Sequence, residues 1–217
     1  MKCFFFFDYL SPYSYLAWKR LQKVDCKIGK DVEMEYVPIV LSRIIHAYET
    51  KGPAEIESKR DYLFKHCLRY SKENEISFQT PAKLPFNSLD LLRLSTTPLS
   101  PLKKQKLIDL IFSLGWSEGK DLENYDFIYE KIQEVLPDDA ANIISFAANK
   151  ESRKTLKENL KLALKHGVFG LPSFLVQEND HFELFWGNDS IEHLRHFINK
   201  TDRLDKSQFD LFKKKHF

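Results

Sequence analysis

The chain opens on an uninterrupted apolar run, Cys3 to Phe7, four of its five residues phenylalanine. A short continuous run of this kind predicts a strand covered on both faces. Ser11-Pro12 then predicts a helix start, because Ser is a favoured N-cap and the N–H that Pro lacks would be unpaired at the first helical position anyway. Tyr13, Leu16, Ala17, Leu21 and Val24 follow at three- and four-residue steps and give one buried stripe. Val32, Met34, Tyr36 and Pro38 alternate with Glu33, Glu35 and Val37, which predicts a second strand and a βαβ unit with a parallel crossover. From about Leu41 to about His166 the strand signals vanish, and the middle reads as all-helical. Helices are expected over Ile56–Ser71, Asn87–Ser95, Lys103–Leu114, Asn124–Val135, Asp138–Phe146 and Ser152–Lys165, with Asp138, Asp139 and Ser152 as caps. At Gly167 the pattern returns to strands: Ser173–Val176 and Phe182–Trp186, joined by a turn at Glu178-Asn179-Asp180. Asp189 with Glu192 three residues on reads as a capping box for a last helix that turns Ile191, Leu194 and Ile198 inward. The order βαβ, helices, ββα is that of an α/β sheet split by an inserted helical subdomain.

Composition narrows the class. With 217 residues, 43% hydrophobic and 29% charged, and only 7 Gly and 9 Pro, the chain is an ordinary globular protein, not a disordered, collagen-like or repeat-array one. The net charge of +2 comes from interleaved charges, so no basic stripe is available for phosphates and nucleic acid is not an expected partner. Cys3, Cys26 and Cys67 form neither a C-x-x-C pair nor a zinc knuckle, and a reducing compartment is expected. Asp8 cuts the N-terminal apolar run short of a signal-peptide core, and no stretch reaches membrane-spanning length. The expectation is a soluble cytoplasmic protein with no membrane partner, or one of the mitochondrial matrix if eukaryotic. No metal site is expected: His193 and His196 are three apart, outside the H-E-x-x-H spacing, with no Cys near. No phosphate-binding glycine loop is present either. Lys200–Phe217 reads as either a docking helix or a frayed end.

Three distant segments fall at strand ends or helix starts: Ser11-Pro12-Tyr13-Ser14, Val168-Phe169-Gly170-Leu171-Pro172-Ser173 and Trp186-Gly187-Asn188-Asp189-Ser190. The βαβ–ββα order, with an apolar residue and Pro before the third strand, is similar to the thioredoxin fold, and the large helical insertion resembles its disulfide-oxidoreductase A branch. Within that branch, Phe5–Ala17 resembles the opening of 2-hydroxychromene-2-carboxylate isomerases and kappa-class glutathione transferases. So do Lys59–Leu63, Leu84–Ser88, Trp116–Leu122, Gly167–Ser173 and Phe185–Asp189, in family order over about residues 3 to 198. The resemblance implies a discontinuous thioredoxin-like domain, 1–41 and 167–217, with residues 42–166 inserted as a helical subdomain.

Thiol oxidoreductases of this fold place a cysteine at the helix start, where the helix end stabilises a thiolate. Here both reactive positions are serines, Ser11 and Ser14, so disulfide exchange is excluded at this site. A Ser hydroxyl can instead donate to a thiolate from outside. In the family that thiolate is glutathione's, with Ser11 as the catalytic match, lowering a thiol pKa from about 8.5 toward neutrality. From the residues alone, Ser11 as a plain N-cap is an equal reading. The resemblance places Pro12 beside Ser11 in the glutathione site. Leu171-Pro172 resembles the family's cis-proline turn, Asn188-Asp189 would hold the γ-glutamyl end, and Lys59 would reach the glycyl carboxylate. Where the family usually has Gly-Asn, with the Asn contacting glutathione or substrate, this chain has Glu49-Thr50: the resemblance places Thr50 in the glutathione site, and its shorter side chain puts the substrate side of the pocket in question. Asn87 caps a helix or lines the substrate cleft, and Trp116–Asp121 is structural. The resemblance thus implies a glutathione-dependent isomerase acting on a small aromatic or electrophilic substrate, with homodimerisation. A kappa-like transferase and a non-enzymatic thiol-peptide binding module are the alternatives.

Overall fold

A computed structural model describes residues 1–23 and 32–216, with the side chain of residue 216 left aside. The readings at Val24 and Cys26 lie outside the described residues. The strands β1 (Lys2–Phe7), β2 (Glu33–Pro38), β3 (Ser173–Glu178) and β4 (His181–Trp186) form one mixed sheet in the order β2-β1-β3-β4. β1 pairs with β2 in parallel, as the βαβ pattern predicts, and with β3 antiparallel; β3 and β4 form a hairpin through Asn179-Asp180.

The Phe run does what a doubly covered strand must. Phe5 and Phe7 face one layer, where Trp18 of α1 (Pro12–Gln22), Phe112 of α5 (Pro101–Trp116) and Phe174 pack in a single aromatic core. Phe4 and Phe6 face the other, against Ile44 of α2 (Leu41–Ala47), Ala163 of α8 (Lys150–Lys165), Val37 and Leu175. Centroid distances of 5.1 Å for Phe5–Phe174 and 5.6 Å for Phe7–Phe112 are those of directly packed rings.

Between β2 and β3 the described chain is helical, as expected: α2, α3 (Glu57–Glu73), α4 (Leu89–Ser95), α5, α6 (Tyr125–Val135), α7 (Ala140–Ala148) and α8. Periodicity missed α2, which is about two turns long and too brief to show a repeat. It also left open the C-terminal α10 (Lys206–His216), whose described side chains from 206 to 215 are all exposed.

Four cap expectations need correction. Asp138 lies in the turn before α7, one residue ahead of the N-cap position. Ser152 lies inside α8: Asn149 caps it, accepting from the Glu151 N–H at 3.0 Å, while Ser152 Oγ donates toward the Ala147 and Asn149 carbonyls and accepts from buried Arg93. Asp139 occupies the N-cap position of α7 without a side-chain cap bond, and its carboxylate pairs with Lys103 at 2.7 Å. Asp189 caps nothing: α9 (Ile191–Ile198) starts after a 3-10 turn, Asn188–Ser190, because the Ser190 N–H and Oγ both bond the Gly187 carbonyl and shift the helix start onward. The inward residues Ile191, Leu194 and Ile198 are buried as predicted.

Candidate functional site

Strand register assembles the site. Phe6 of β1 pairs with Ser173, the first residue of β3, and Ser173 pairs with Trp186, the last residue of β4. The exit of β1, the entry of β3 and the exit of β4 therefore share one edge of the sheet, and the three segments singled out in the sequence meet there.

Ser11 is the N-cap of α1, with extended backbone, and its Oγ accepts the Ser14 N–H at 3.1 Å. The same hydroxyl reaches the Leu171 carbonyl, 160 residues away in sequence, at 3.5 Å. Leu171–Pro172 is a cis peptide bond. Pro12 follows Ser11 as the first helical residue. The Pro172 carbonyl accepts the Gly187 N–H at 2.9 Å, which ties the third segment to the second. Gly187 has φ +94, and a Cβ there would lie 2.4 Å from Asp189 Oδ1, so only glycine permits this turn. At Gly170 a Cβ would lie 2.6 Å from Trp186 Nε1, so the backbone can pass under the indole only without a side chain. Asn188 is buried and its Nδ2 has no hydrogen-bond partner, while Asp189 is exposed. An orphaned buried donor and an exposed carboxylate side by side fit a zwitterionic group: the amide for its carboxylate, Asp189 for its ammonium.

Among the described residues, thiol redox chemistry has no local source at this site. Ser14 Oγ is buried with no partner, and burial pushes the thiols of Cys3 and Cys67 up to about 12, which keeps them protonated and inert.

The remaining expected residues stand apart. Lys59 is exposed in the first turn of α3, and Thr50 is exposed in the loop after α2. Among the described residues, neither side chain makes a hydrogen bond or ion pair, so Ser11, Leu171, Pro172, Asn188 and Asp189 are brought together and Lys59 and Thr50 are not joined to them by contact. Asn87 does bond the Leu89 N–H at 3.1 Å, at the entrance of α4.

Two features escaped the sequence. Asp8, buried in the turn before Ser11, accepts the Leu10 N–H at 3.0 Å and the Leu41 N–H at 2.8 Å and bonds the Ser88 hydroxyl. Burial nevertheless holds its carboxyl above the usual range, against those three bonds. It moors the Ser11 turn to α2 and to the start of α4; an acid straight after an apolar strand was the available signal. The second is Tyr13, whose hydroxyl lies 3.2 Å from His66 Nδ1 of α3. Burial, then the nearby Cys67, Tyr62 and Asp189, push the Tyr13 phenol up to about 12.

With this geometry in view, comparison with known proteins becomes specific. Residues 3–199 match the family described as the DSBA-like thioredoxin domain. The chain belongs to that family. A relative named 2-hydroxychromene-2-carboxylate isomerase from Pseudomonas putida is 28% identical over 191 residues, covering 86% of this chain and 89% of the relative. Human glutathione S-transferase kappa 1 is 23% identical over 206 residues, covering 90% and 89%. Among solved structures, a 2-hydroxychromene-2-carboxylate isomerase superposes with a TM-score of 0.80 at 25% identity, covering 97% of this chain and 99% of that one. A cytosolic disulfide reductase DsbM from Pseudomonas aeruginosa, solved with GSH, shares the fold at TM-score 0.67 and 15% identity, covering 94% and 100%. The family's thioredoxin sheet and helical insertion are those described above. No helix among the described residues is long and apolar enough to cross a membrane.

Proposed function

We propose that the protein is a glutathione-dependent isomerase of the 2-hydroxychromene-2-carboxylate isomerase type, with Ser11 as the residue that holds the thiolate. The observation that carries the reading is the Ser11 hydroxyl at the N-cap of α1, facing the Leu171 carbonyl of the cis-Pro turn. Bound glutathione would supply the nucleophilic sulfur. Ser11 donates its hydroxyl proton to that sulfur, and the N-terminal end of α1 adds its positive partial charge, so the anionic form is favoured. Leu171 and Pro172 offer backbone to a peptide laid along the β3 entry, with Pro12 closing the other side. Asn188 and Asp189 grip the γ-glutamyl end, and Lys59 is assigned to the glycyl carboxylate. Thr50 borders the substrate side, where a small aromatic or electrophilic molecule meets the sulfur. Ser11 serves the sulfur twice: it holds the thiolate before addition and receives it again after elimination, so glutathione is regenerated.

A second reading is a kappa-like glutathione transferase, in which the electrophile stays attached; the kappa relatives match over nearly the whole chain and favour it. A thiol-peptide binding module without turnover is the third, favoured by Thr50 at the usual Asn position. The proposal includes a homodimer, implied by the family, and a cytoplasmic setting, which the free buried thiols of Cys3 and Cys67 suit. Calorimetry with glutathione and an absorbance time course with 2-hydroxychromene-2-carboxylate test it together. Binding that Ser11→Ala weakens, with glutathione-dependent turnover and no net thiol consumption, is expected. Thiol consumption moves the assignment to the transferase, binding without turnover to the module, and absence of binding overturns all three.

A further inference from the structure

A row of aromatic and basic side chains on α3 faces the first turn of α1. Tyr62 lies flat against His66 (ring centroids 5.9 Å, planes 8° apart), and Tyr70 packs on the other side of the imidazole at 6.2 Å. Tyr13 meets the same imidazole edge-on at 5.5 Å, with its hydroxyl at hydrogen-bond distance from Nδ1. The ring is thus held from three sides, with one nitrogen fixed on a phenol. Tyr13 itself belongs to the Ser11-Pro12-Tyr13-Ser14 turn, is half-buried, and lies close enough to Asp189 to feel its charge. Tyr13 thereby links the Ser11 turn to α3, where Tyr62 is 63% exposed and offers an open aromatic surface.

We propose that Tyr13 is the proton donor to the second substrate and that His66 is the positioning residue that restores its proton. The inference rests on the glutathione reading of the same site and deepens it. As the carbon–sulfur bond forms at the aryl-bearing ring carbon of the chromene, the carbon–carbon π pair shifts toward the hemiketal carbon, the ring carbon–oxygen bond breaks and its pair stays on the released ring oxygen; on an open-chain enone the π pair moves onto the carbonyl oxygen instead. Tyr13 gives its phenolic proton to that oxygen while the Nδ1–H of His66 passes to the phenolate and His66 Nε2 takes a proton from solvent. The products are the protonated adduct, which keeps any carboxylate of the substrate, His66 in its other tautomer and intact Tyr13. For an isomerase the same steps run backward on elimination. Burial makes the Tyr13 phenol a weaker acid than an ordinary tyrosine, so it releases its proton only as charge develops on the substrate oxygen and His66 replaces that proton. Tyr62, stacked on the imidazole, fits a planar aromatic substrate on its open face.

Tyr13→Phe and His66→Gln are the test variants, since both keep ring or side-chain volume. With 2-hydroxychromene-2-carboxylate as the probe, Tyr13→Phe is expected to lower kcat by about 100-fold, the lower end for loss of a general acid. The glutathione Kd should stay within about twofold of wild type, and the solvent deuterium isotope effect on kcat should change. His66→Gln is expected to lower kcat less, with KM little altered. Independently of turnover, nitrogen-15 NMR of the His66 ring should show the Nδ1 resonance shifted in Tyr13→Phe. Wild-type kcat in Tyr13→Phe, an unmoved Nδ1 resonance, or parallel losses of kcat and glutathione affinity would each overturn the inference. If wild-type protein binds no glutathione, the functional reading falls and takes this one with it; binding with an unaffected Tyr13→Phe rate sinks this inference alone.

Discussion

Ser11 has two duties that a single substitution confounds and a pair of substitutions separates. As N-cap it satisfies the Ser14 N–H, and losing that bond costs about 1 kcal/mol. As a donor it would serve a thiolate. Ser11→Ala removes both, so chemical denaturation should show about 1 kcal/mol of lost stability together with lost glutathione-dependent turnover. Ser11→Asp keeps an excellent cap at the positive end of α1 but has no proton to give at neutral pH and repels an anionic sulfur. The cap bond is kept, so the stability lost comes from burying a carboxylate beside the Leu171 carbonyl, about 1–3 kcal/mol, while turnover disappears. Wild-type turnover in Ser11→Asp would show that Ser11 is only a cap.

At the scale of elements, the turn between β1 and α1 is held by its neighbours more than by itself. Asp8 carries the turn's links to α2 and α4, and Tyr9 continues them: its hydroxyl bonds Ser95 at 2.5 Å and its carbonyl accepts Trp116 Nε1 at 2.7 Å. Asp8→Asn is therefore expected to destabilise the fold at low pH by about 1–3 kcal/mol, because one buried backbone N–H then faces an amide NH₂. The pH dependence has a definite sign. Burial raises the folded-state pKa of Asp8, so the folded protein holds the proton more tightly than the unfolded chain. That contribution is complete below the ordinary carboxylate value of about 3.9 and is lost as pH rises through the raised value. The stability gap between wild type and Asp8→Asn should accordingly narrow from acid toward neutral pH; a gap that widens refutes the assignment. These links also show where the sequence was legible. The strands, most helices and the Ser11 cap follow from local period and composition, and the register carrying Ser11 to Leu171 follows from the hydrophobic pattern once the fold is recognised. Asp8 and the Tyr13–His66 pair are partnerships between elements, and α2 is too short to declare a period. The capping box at Asp189 misled because Gly187 permits a turn that no local pattern encodes.

Across the whole molecule, one aromatic core runs from the sheet into the insertion, so the helical region and the thioredoxin-like pieces share buried residues such as Phe7, Phe112 and Trp116. The terminal helix α10 does not take part. Its described side chains are exposed, including Phe209 and Phe212, so removing residues 206–217 should shift Tm by less than about 2 °C, equivalent to under about 1 kcal/mol. A larger fall in a thermal melt would mean that α10 docks on the body or on a second copy. The meeting of three strand ends at one sheet edge has a consequence for biosynthesis. Ser11 leaves the ribosome 160 residues ahead of its acceptor at Leu171, and the turn at Asn188-Asp189 follows later still. A nascent chain stalled anywhere before residue 171 would carry the serine without its counterpart. Competence would thus be acquired in one late step, after the long middle of the chain has emerged.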